Sequence, residues 1–346
     1  METILLLAHV ESDGSLARSA LEALGVATKL KAALPGSKLL AGLIGENVQP
    51  AANHIASCGA DKFLAVSGAP FTQPRYATDA AAAEALSRAA QATFIIAPAT
   101  SRMNRVAAGV AQRLGGRVDT HATCVSASGD TISVNRWYYR QRMEAVLRRV
   151  QRPWFVLLDA GSQPAWQGSA GIAQVEAISV DLPESAKRTT VLGMRELAAD
   201  AQTIRPEADL LFVAGAGWTK KQADGQPHVG DAEKLILGFL KSARASLGSS
   251  KSLVDIGGEG QAVLSFLTHL NQIGQTGSTP RHPKGLATSC HGEEPHTVGW
   301  RFINERRAIN LDANCGWARG KADVLYVADA FAVMTKVNEM LAQSQA

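Results

Sequence analysis

ILLLAHVESDGSLARSALEALGVATK, residues 4–29, is the stretch that decides the fold. Ile4 to Val10 is apolar apart from one histidine and shows no alternation, which reads as a strand buried on both faces. Glu11-Ser-Asp-Gly-Ser15 breaks the run with turn formers, and Ser15 to Lys29 carries alanine and leucine at helical spacing. The unit then recurs. Leu39 to Ile44, Lys62 to Val66 and Thr93 to Ala97 read as further strands; Ala51 to Ser57, Ala80 to Ala90 and Arg105 to Leu114 read as further helices. Short connections between them predict a parallel sheet covered on both faces. Ser101-Arg-Met-Asn-Arg105 follows the fourth strand at its carboxyl end, where open α/β sheets bind ligands. The turn after the first strand has no glycine-rich phosphate cradle, so this half lacks a dinucleotide fingerprint.

Outward from this core the pattern changes. Thr131 to Tyr139, Met143 to Arg149 and Trp154 to Asp159 read as strands between polar turns, and antiparallel additions to the sheet are expected. Arg140, Arg142, Arg148 and Arg149 mark a basic face, for which a solvated edge that discourages further pairing is favoured over a partner surface. Pro183 to Arg195 is polar and reads as a crossing segment between domains. A second α/β set follows: strands at Leu210 to Ala214, Ser252 to Ile256, Gly285 to Thr288, Arg307 to Asn310 and Val324 to Val327, with helices at Ala232 to Leu247 and Phe331 to Leu341. Leu264 to Leu270 also has helical spacing. The expected organisation is an α/β protein of two domains, an N-terminal parallel-sheet domain with antiparallel additions over 1–182 and a smaller, doubly wound C-terminal domain over 205–346, joined by 183–204.

A chain of 346 residues is long enough for two cores. Its 46% hydrophobic and 19% charged content is ordinary for a globular protein, and abundant alanine suits closely packed α/β layers. The net charge of +4 is spread along the chain, unlike the clustered footprint of a nucleic-acid binder. No apolar run reaches the ~20 residues of a membrane span. The opening residues lack the basic lead of a secretion signal and read as a strand. Cys58, Cys124, Cys290 and Cys315 are far apart with no CxxC pair, so neither a zinc cluster nor a disulfide framework is signalled, and a reduced, cytoplasmic setting is expected.

The chemistry concentrates in Gln272 to Asp312, which packs turn glycines, hydroxyls, three histidines and a carboxylate pair between short apolar runs. Gly274-Gln-Thr-Gly277 offers backbone N–H donors and a hydroxyl in a tight turn, suited to an anionic or heterocyclic ligand; a polar surface loop is the competing reading. His291-Gly-Glu-Glu-Pro-His296, with His282 and Cys290, has metal-ligand residue types, but its glycine and proline deny the helical face that H-E-x-x-H needs, so no metal is expected. Ser289 and Cys290 lack a nucleophile elbow.

Gln272-Ile-Gly-Gln-Thr-Gly277 resembles the Q-V-G-Q-T-G of electron transfer flavoprotein α subunits. Gly292 and His296 take the places of the glycine and histidine in that family's G-I-S-G-A-I-Q-H. Ala308-Ile-Asn310 with Asp312 is similar to A-I-N-x-D, and Ala322-Asp323 and Val327-Ala-Asp329 are similar to A-D-Y-G and V-A-D. Upstream, Ser250 to Gly257 resembles S-R-A-A-V-D-A-G. About a third of the chain carries this resemblance, all of it in the C-terminal half. The family's G-G-R-G turn stands here as Gly215-Ala216-Gly217, without its arginine and with Lys220 and Lys221 close behind; the arginine of S-R is Lys251 and the serine of G-I-S-G is His291.

The resemblance implies FAD in the C-terminal domain, pairing with a β subunit through the N-terminal domain, and electron passage from a flavin dehydrogenase (acyl-CoA or methylated-amine oxidising) to a membrane quinone oxidoreductase. Such a subunit carries electrons and transforms no organic substrate. The competing class is a binding or scaffold protein of the same ancestry that has lost tight FAD. Implied cofactor contacts are Ser250, Lys251, Ile273, Gly274, Gln275, Thr276, Gly277, His291, Gly292, Glu293, Glu294, Pro295, His296, Asn310 and Asp329. Thr276 falls near flavin N5 and His296 near the C2 carbonyl. Lys251 supplies a cation beside the ring, which favours one-electron reduction, though without guanidinium stacking. His291 falls at the diphosphate, where Glu293 and Glu294 would repel it unless turned away or paired with Arg301, Arg306 or Arg307. Asn310 and Asp329 fall at the adenosine end.

Overall fold

The computed structural model describes all residues except 140, 142, 194–203, 206–207, 256–261, 275–278, 290–301, 316–317 and 346. The chain divides into two compact units, Met1–Met194 and Arg195–Ala346.

In the first unit the opening run forms β1 (Thr3–His9), followed by α1 (Arg18–Ala33), β2 (Lys38–Gly45), α2 (Gln49–His54), β3 (Lys62–Ser67), α3 (Tyr76–Ala89), β4 (Phe94–Pro98) and α4 (Ser101–Arg113). Ile4 to Ala8 are all fully buried. Ile4, Leu6 and Ala8 pack toward Ala23, Leu24 and Ala27 of α1, whereas Leu5 and Leu7 join Ala83, Leu86, Val106 and Val110 of α3 and α4. Successive strand side chains point to opposite faces, so a run without alternation is what a sheet with two cores requires. Each such leucine contributes about 1.5–3 kcal/mol of burial.

The remaining strands are β5 (Arg117–Ser128), β6 (Thr131–Tyr138), β7 (Met143–Leu147), β8 (Trp154–Leu158) and β9 (Val175–Ala177), and the sheet order is β7-β6-β5-β8-β4-β1-β2-β3-β9. The antiparallel additions are β6 and β7, which pair as a meander with β5. Trp154 to Asp159 departs from expectation. Strand β8 is parallel to both neighbours, with Phe94↔Trp154 on one side and Arg117↔Trp154 on the other. All five of its residues are buried, the mark of an interior parallel strand that its position after a hairpin obscured. Strand β5 escapes the sequence reading because a register shift between Asp119 and Ala122, with His121 at φ 57°, breaks its alternation.

The basic face resolves into distinct roles. Arg149 turns inward to Asp119, its Nη2 donating at 2.8 Å, and Arg148 Nε donates to Ser133 Oγ at 3.1 Å. Arg140 and Arg142 lie outside the described residues. At the carboxyl end of β4, Thr100 caps α4 by accepting from the Met103 N–H. Arg102 spends its guanidinium on buried Asp79, at 2.6 and 2.8 Å, and on the carbonyls of Phe71, Thr72 and Gln73. That arginine clamps a loop.

The second unit contains β10 (Leu210–Ala214), α5 (Val229–Ala243), β11 (Ser246–Ser249), α6 (Lys251–Asp255), β12 (His282–Thr288), β13 (Ile303–Asn310), β14 (Val324–Val327) and α7 (Ala330–Gln345). All five strands are parallel, in the order β11-β10-β12-β13-β14. Counted from β10 this is 2-1-3-4-5, a doubly wound order whose ligand crevice lies at the carboxyl ends where the order reverses. One face packs Phe212, Ile236, Phe239, Leu240 and Met334 with α5 and α7; the other packs Leu211, Val213, Ile273, Phe302 and Cys315.

Two expectations fail here. Ser252 to Ile256 is not a strand: Lys251–Asp255 is helical, Ile256 lies outside the described residues, and the strand is Ser246–Ser249. Leu247 is the one large apolar residue in that strand, too little to read as a run, and the preceding helix ends at Ala243 with Arg244 left-handed at φ 49°. Leu264 to Leu270 forms turns instead of a helix, ending in a 3-10 turn at His269–Asn271 capped by Thr268. Among the described residues no helix is long and apolar enough to cross a membrane.

Candidate functional site

The site builds on how the β10 turn is pinned across the end of β12. Gly215 N donates to Thr288 O and Gly217 N to Ser289 O, each at 2.8 Å. Beneath them Trp218 is fully buried, its indole N–H donating to Thr288 Oγ1 at 2.8 Å while that hydroxyl donates to Val213 O at 3.0 Å. The ring of Trp218 lies 4.7 Å from that of Phe331 on α7. The approach is close enough to exclude a side chain at Gly217, where a Cβ would stand 2.6 Å from Ser289 O and 2.9 Å from Ser289 Cβ. Ala216 is buried in the core beside Trp218. Neither position can present an arginine.

Above this turn is a cavity of about 170 Å³ whose lining includes Gly217, Lys220, Lys221, Ser289, Asn310 and Asp329. Drug-sized ligands occupy about 300–1,000 Å³, so this one suits part of a larger molecule. Asn310 is buried at the end of β13, and its Oδ1 accepts from Asp312 N at 3.1 Å. Asp329 follows β14 and caps α7, its Oδ1 accepting from Phe331 N at 2.9 Å. The two residues expected at an adenosine end thus line one cavity. At the opposite, amino end of β14, Asp323 accepts the Arg306 N–H at 2.6 Å, which holds its carboxyl below the usual range, and meets the Arg306 guanidinium at 3.3 Å.

A second group assembles at the end of β11. Ser250 is buried, its N–H donating to Ala214 O at 2.9 Å and its Oγ accepting from Leu253 N at 3.4 Å. Lys251 opens α6 with an exposed side chain. Ile273 N donates to Ser249 O at 3.1 Å, which brings the start of the Gln272 loop to this edge. The Ile273 side chain packs in the core, and Gly274, at φ 78°, donates its N–H to Thr279 Oγ1 at 2.8 Å. Ser249 Oγ is buried here with no hydrogen-bond partner among the described residues. Four strand spacings separate β11 from β14, about 19 Å, so the carboxyl edge suits an elongated ligand.

Gln275, Thr276, Gly277, His291, Gly292, Glu293, Glu294, Pro295 and His296 lie outside the described residues, as does Cys290. His282 is fully buried, its two ring nitrogens facing Pro280 O at 3.0 Å and Arg205 O at 2.8 Å. Among the described residues no group of three His, Cys, Asp or Glu could hold a metal. The sequence reading did not place Gly217 and Ser249 in the site; the first is signalled only by its glycine-rich turn and the second by nothing local.

A doubly wound domain with a polar cavity at its carboxyl edge has the architecture of a ligand-binding α/β domain, and comparison with known proteins narrows the class. The electron transfer flavoprotein domain matches residues 4–184, more than half of the chain. The electron transfer flavoprotein subunit alpha of Clostridium acetobutylicum is 25% identical over 354 aligned positions, covering 97% of this chain and 95% of the relative. That of Thermoanaerobacterium thermosaccharolyticum is 26% identical over 329, covering 94% and 93%. Protein FixB of Clostridium saccharobutylicum is 24% identical over 307, covering 87% and 85%. The chain belongs to the electron transfer flavoprotein family, of the alpha type.

Proposed function

We propose that this chain is the FAD-binding α subunit of an electron transfer flavoprotein. It pairs with a β subunit through its N-terminal domain, accepts electrons from a flavin dehydrogenase of the acyl-CoA or methylated-amine type and passes them to a membrane quinone oxidoreductase. The observation that carries the reading is the cavity at the carboxyl ends of β10, β12, β13 and β14, lined by the motif residues Asn310 and Asp329.

The residues fit the cofactor. Gly217 lines the cavity, Ser249 keeps a buried hydroxyl with no hydrogen-bond partner among the described residues, and the lining mixes cations, amide and carboxylate as a nucleotide demands. FAD supplies the ring that takes and releases electrons. In the proposal Asn310 and Asp329 hold the adenosine end and Ser250 with Lys251 serve the ring end. Thr276 and His296 are assigned by motif alone.

The test is colour and stoichiometry. Co-purified with its β partner, the chain should show flavin absorption with close to one FAD per heterodimer. A colourless complex that added FAD cannot turn yellow would favour the scaffold alternative. Lys251→Met should lower the midpoint potential of the bound flavin, because it removes a positive charge that favours electron uptake. An unchanged potential takes Lys251 out of the ring site.

A further inference from the structure

We infer that Lys220 and Lys221 supply the positive charge that meets the phosphates of the bound nucleotide, in place of an arginine in the β10 turn. This rests on the flavin-nucleotide reading above. The turn has no room for an arginine, since a Cβ at Gly217 strikes the Ser289 carbonyl and the Ala216 side chain is sealed in the core. Three and four residues beyond Gly217, the loop delivers two exposed lysines that line the same cavity as Ser289, Asn310 and Asp329.

The loop holding them is anchored. Gln222 Nε2 donates to Gly217 O at 3.0 Å and to Lys220 O at 2.7 Å, and Lys221 forms a bridge with Pro227. Gln222 N donates to Gln226 O at 3.0 Å, and Asp224 accepts both the Gln226 N–H at 3.0 Å and a contact from His228 Nε2 at 2.6 Å. Those two interactions hold the Asp224 carboxyl below its usual range, so its charge is spent on closing the loop. Among the described residues lining the cavity the charged ones are two lysines and Asp329, whose Oδ1 already accepts the Phe331 N–H. The balance is positive and suits a phosphate-bearing ligand. Lysine binds phosphate as a point charge on a flexible stem and needs no fixed fork, so a pair of exposed lysines can substitute where a rigid arginine cannot be seated.

The test compares three ligands on the full chain, co-purified with its β partner and stripped of nucleotide. FAD, ADP and adenosine are titrated against the parent, Lys220→Met/Lys221→Met and Lys220→Arg/Lys221→Arg. Loss of charge-assisted contacts should raise the dissociation constants for FAD and ADP in the methionine variant roughly tenfold or more, leaving adenosine unchanged. Its salt dependence should weaken in step. The arginine variant should bind as the parent does, and all three proteins should melt alike because both side chains are exposed. Unaltered FAD and ADP binding in the methionine variant overturns the inference, as does an equal loss for adenosine. If the parent binds ADP but not FAD, the flavin reading falls and the lysines are judged on ADP. If it binds neither, both fall.

Discussion

Asp119→Ala should lower the melting temperature of the first unit by roughly 10 °C. The carboxylate is almost completely buried and carries three charged or polar partners. Arg149 donates to both of its oxygens, Arg136 reaches Oδ1 at 3.2 Å, and the Trp154 indole N–H donates to Oδ2 at 2.9 Å. Trp154 is fully buried at the start of β8, and Arg136 and Arg149 come from β6 and the segment after β7, so one side chain ties the meander to the parallel sheet. Its removal strands a buried N–H and leaves two guanidiniums uncompensated, which costs about 3–5 kcal/mol. In a unit of this size that corresponds to a shift of roughly 6–20 °C. Asp119→Leu/Arg149→Met should lose less, because only Arg136, instead of two guanidiniums, is then left without the carboxylate. The pH dependence provides an independent readout. Burial raises the Asp119 pKa, but the Arg149 and Trp154 hydrogen bonds and both arginine charges outweigh it and hold the carboxyl below its usual range. A depressed folded-state pKa gives stability that is present above the unfolded value, about 4, and lost as pH falls through the folded one. The gap between parent and variant, read by circular dichroism on heating, should therefore close below about pH 4. A variant that melts within a degree or two of the parent at neutral pH would show that the network does no such work.

The sequence made these elements legible to different degrees, for physical reasons. β1, β2, β3 and β4 announce themselves because interior parallel strands must be apolar on both faces, and Val324–Val327 was read to the residue. β8 obeys the same rule, but its place after the β6–β7 turn suggested a third antiparallel strand; only pairing to Phe94 and Arg117 reveals that it is inserted between older neighbours. β11 was displaced because Ser246, Gly248 and Ser249 carry no apolar signal. What makes them a strand is their register against Leu211 to Ala214, a long-range fact absent from any local window.

Site and family were legible in opposite halves. The motifs read from the sequence lie between Phe212 and Asp329, whereas the family match covers residues 4–184, where layout alone was readable. Asn310 and Asp329 are 19 positions apart, yet one ends β13 and the other follows β14 at the same sheet edge, so parallel topology turns separate motifs into one cavity. Steric facts were not legible. That Gly217 is forced to be glycine follows from Ser289, which is distant in sequence and is brought there by the β10–β12 pairing.

That steric fact makes the final expectation run against homology. Restoring the arginine of the G-G-R-G turn, as Gly217→Arg, should weaken FAD binding by tenfold or more. The added Cβ would lie 2.6 Å from the Ser289 carbonyl oxygen, a backbone atom that cannot swing aside as a flexible side chain would. The turn must lift off β12, breaking the Gly217 N–H bond to Ser289 O and disturbing the Trp218 bond to Thr288. Overpacking of this kind costs about 1–3 kcal/mol before any ligand is considered. Gly217→Ala already carries the offending carbon, so alanine and arginine should fail alike in FAD titrations of the heterodimer and in thermal melts. The charge of the arginine would matter only if the backbone could accommodate it. Arginine that bound FAD as tightly as glycine, with alanine impaired, would mean that the turn relaxes freely and that charge, not backbone approach, governs the site. With Ala216 buried against the same core, the exposed and anchored loop at Lys220 and Lys221 is where the described residues bring cations to the cavity.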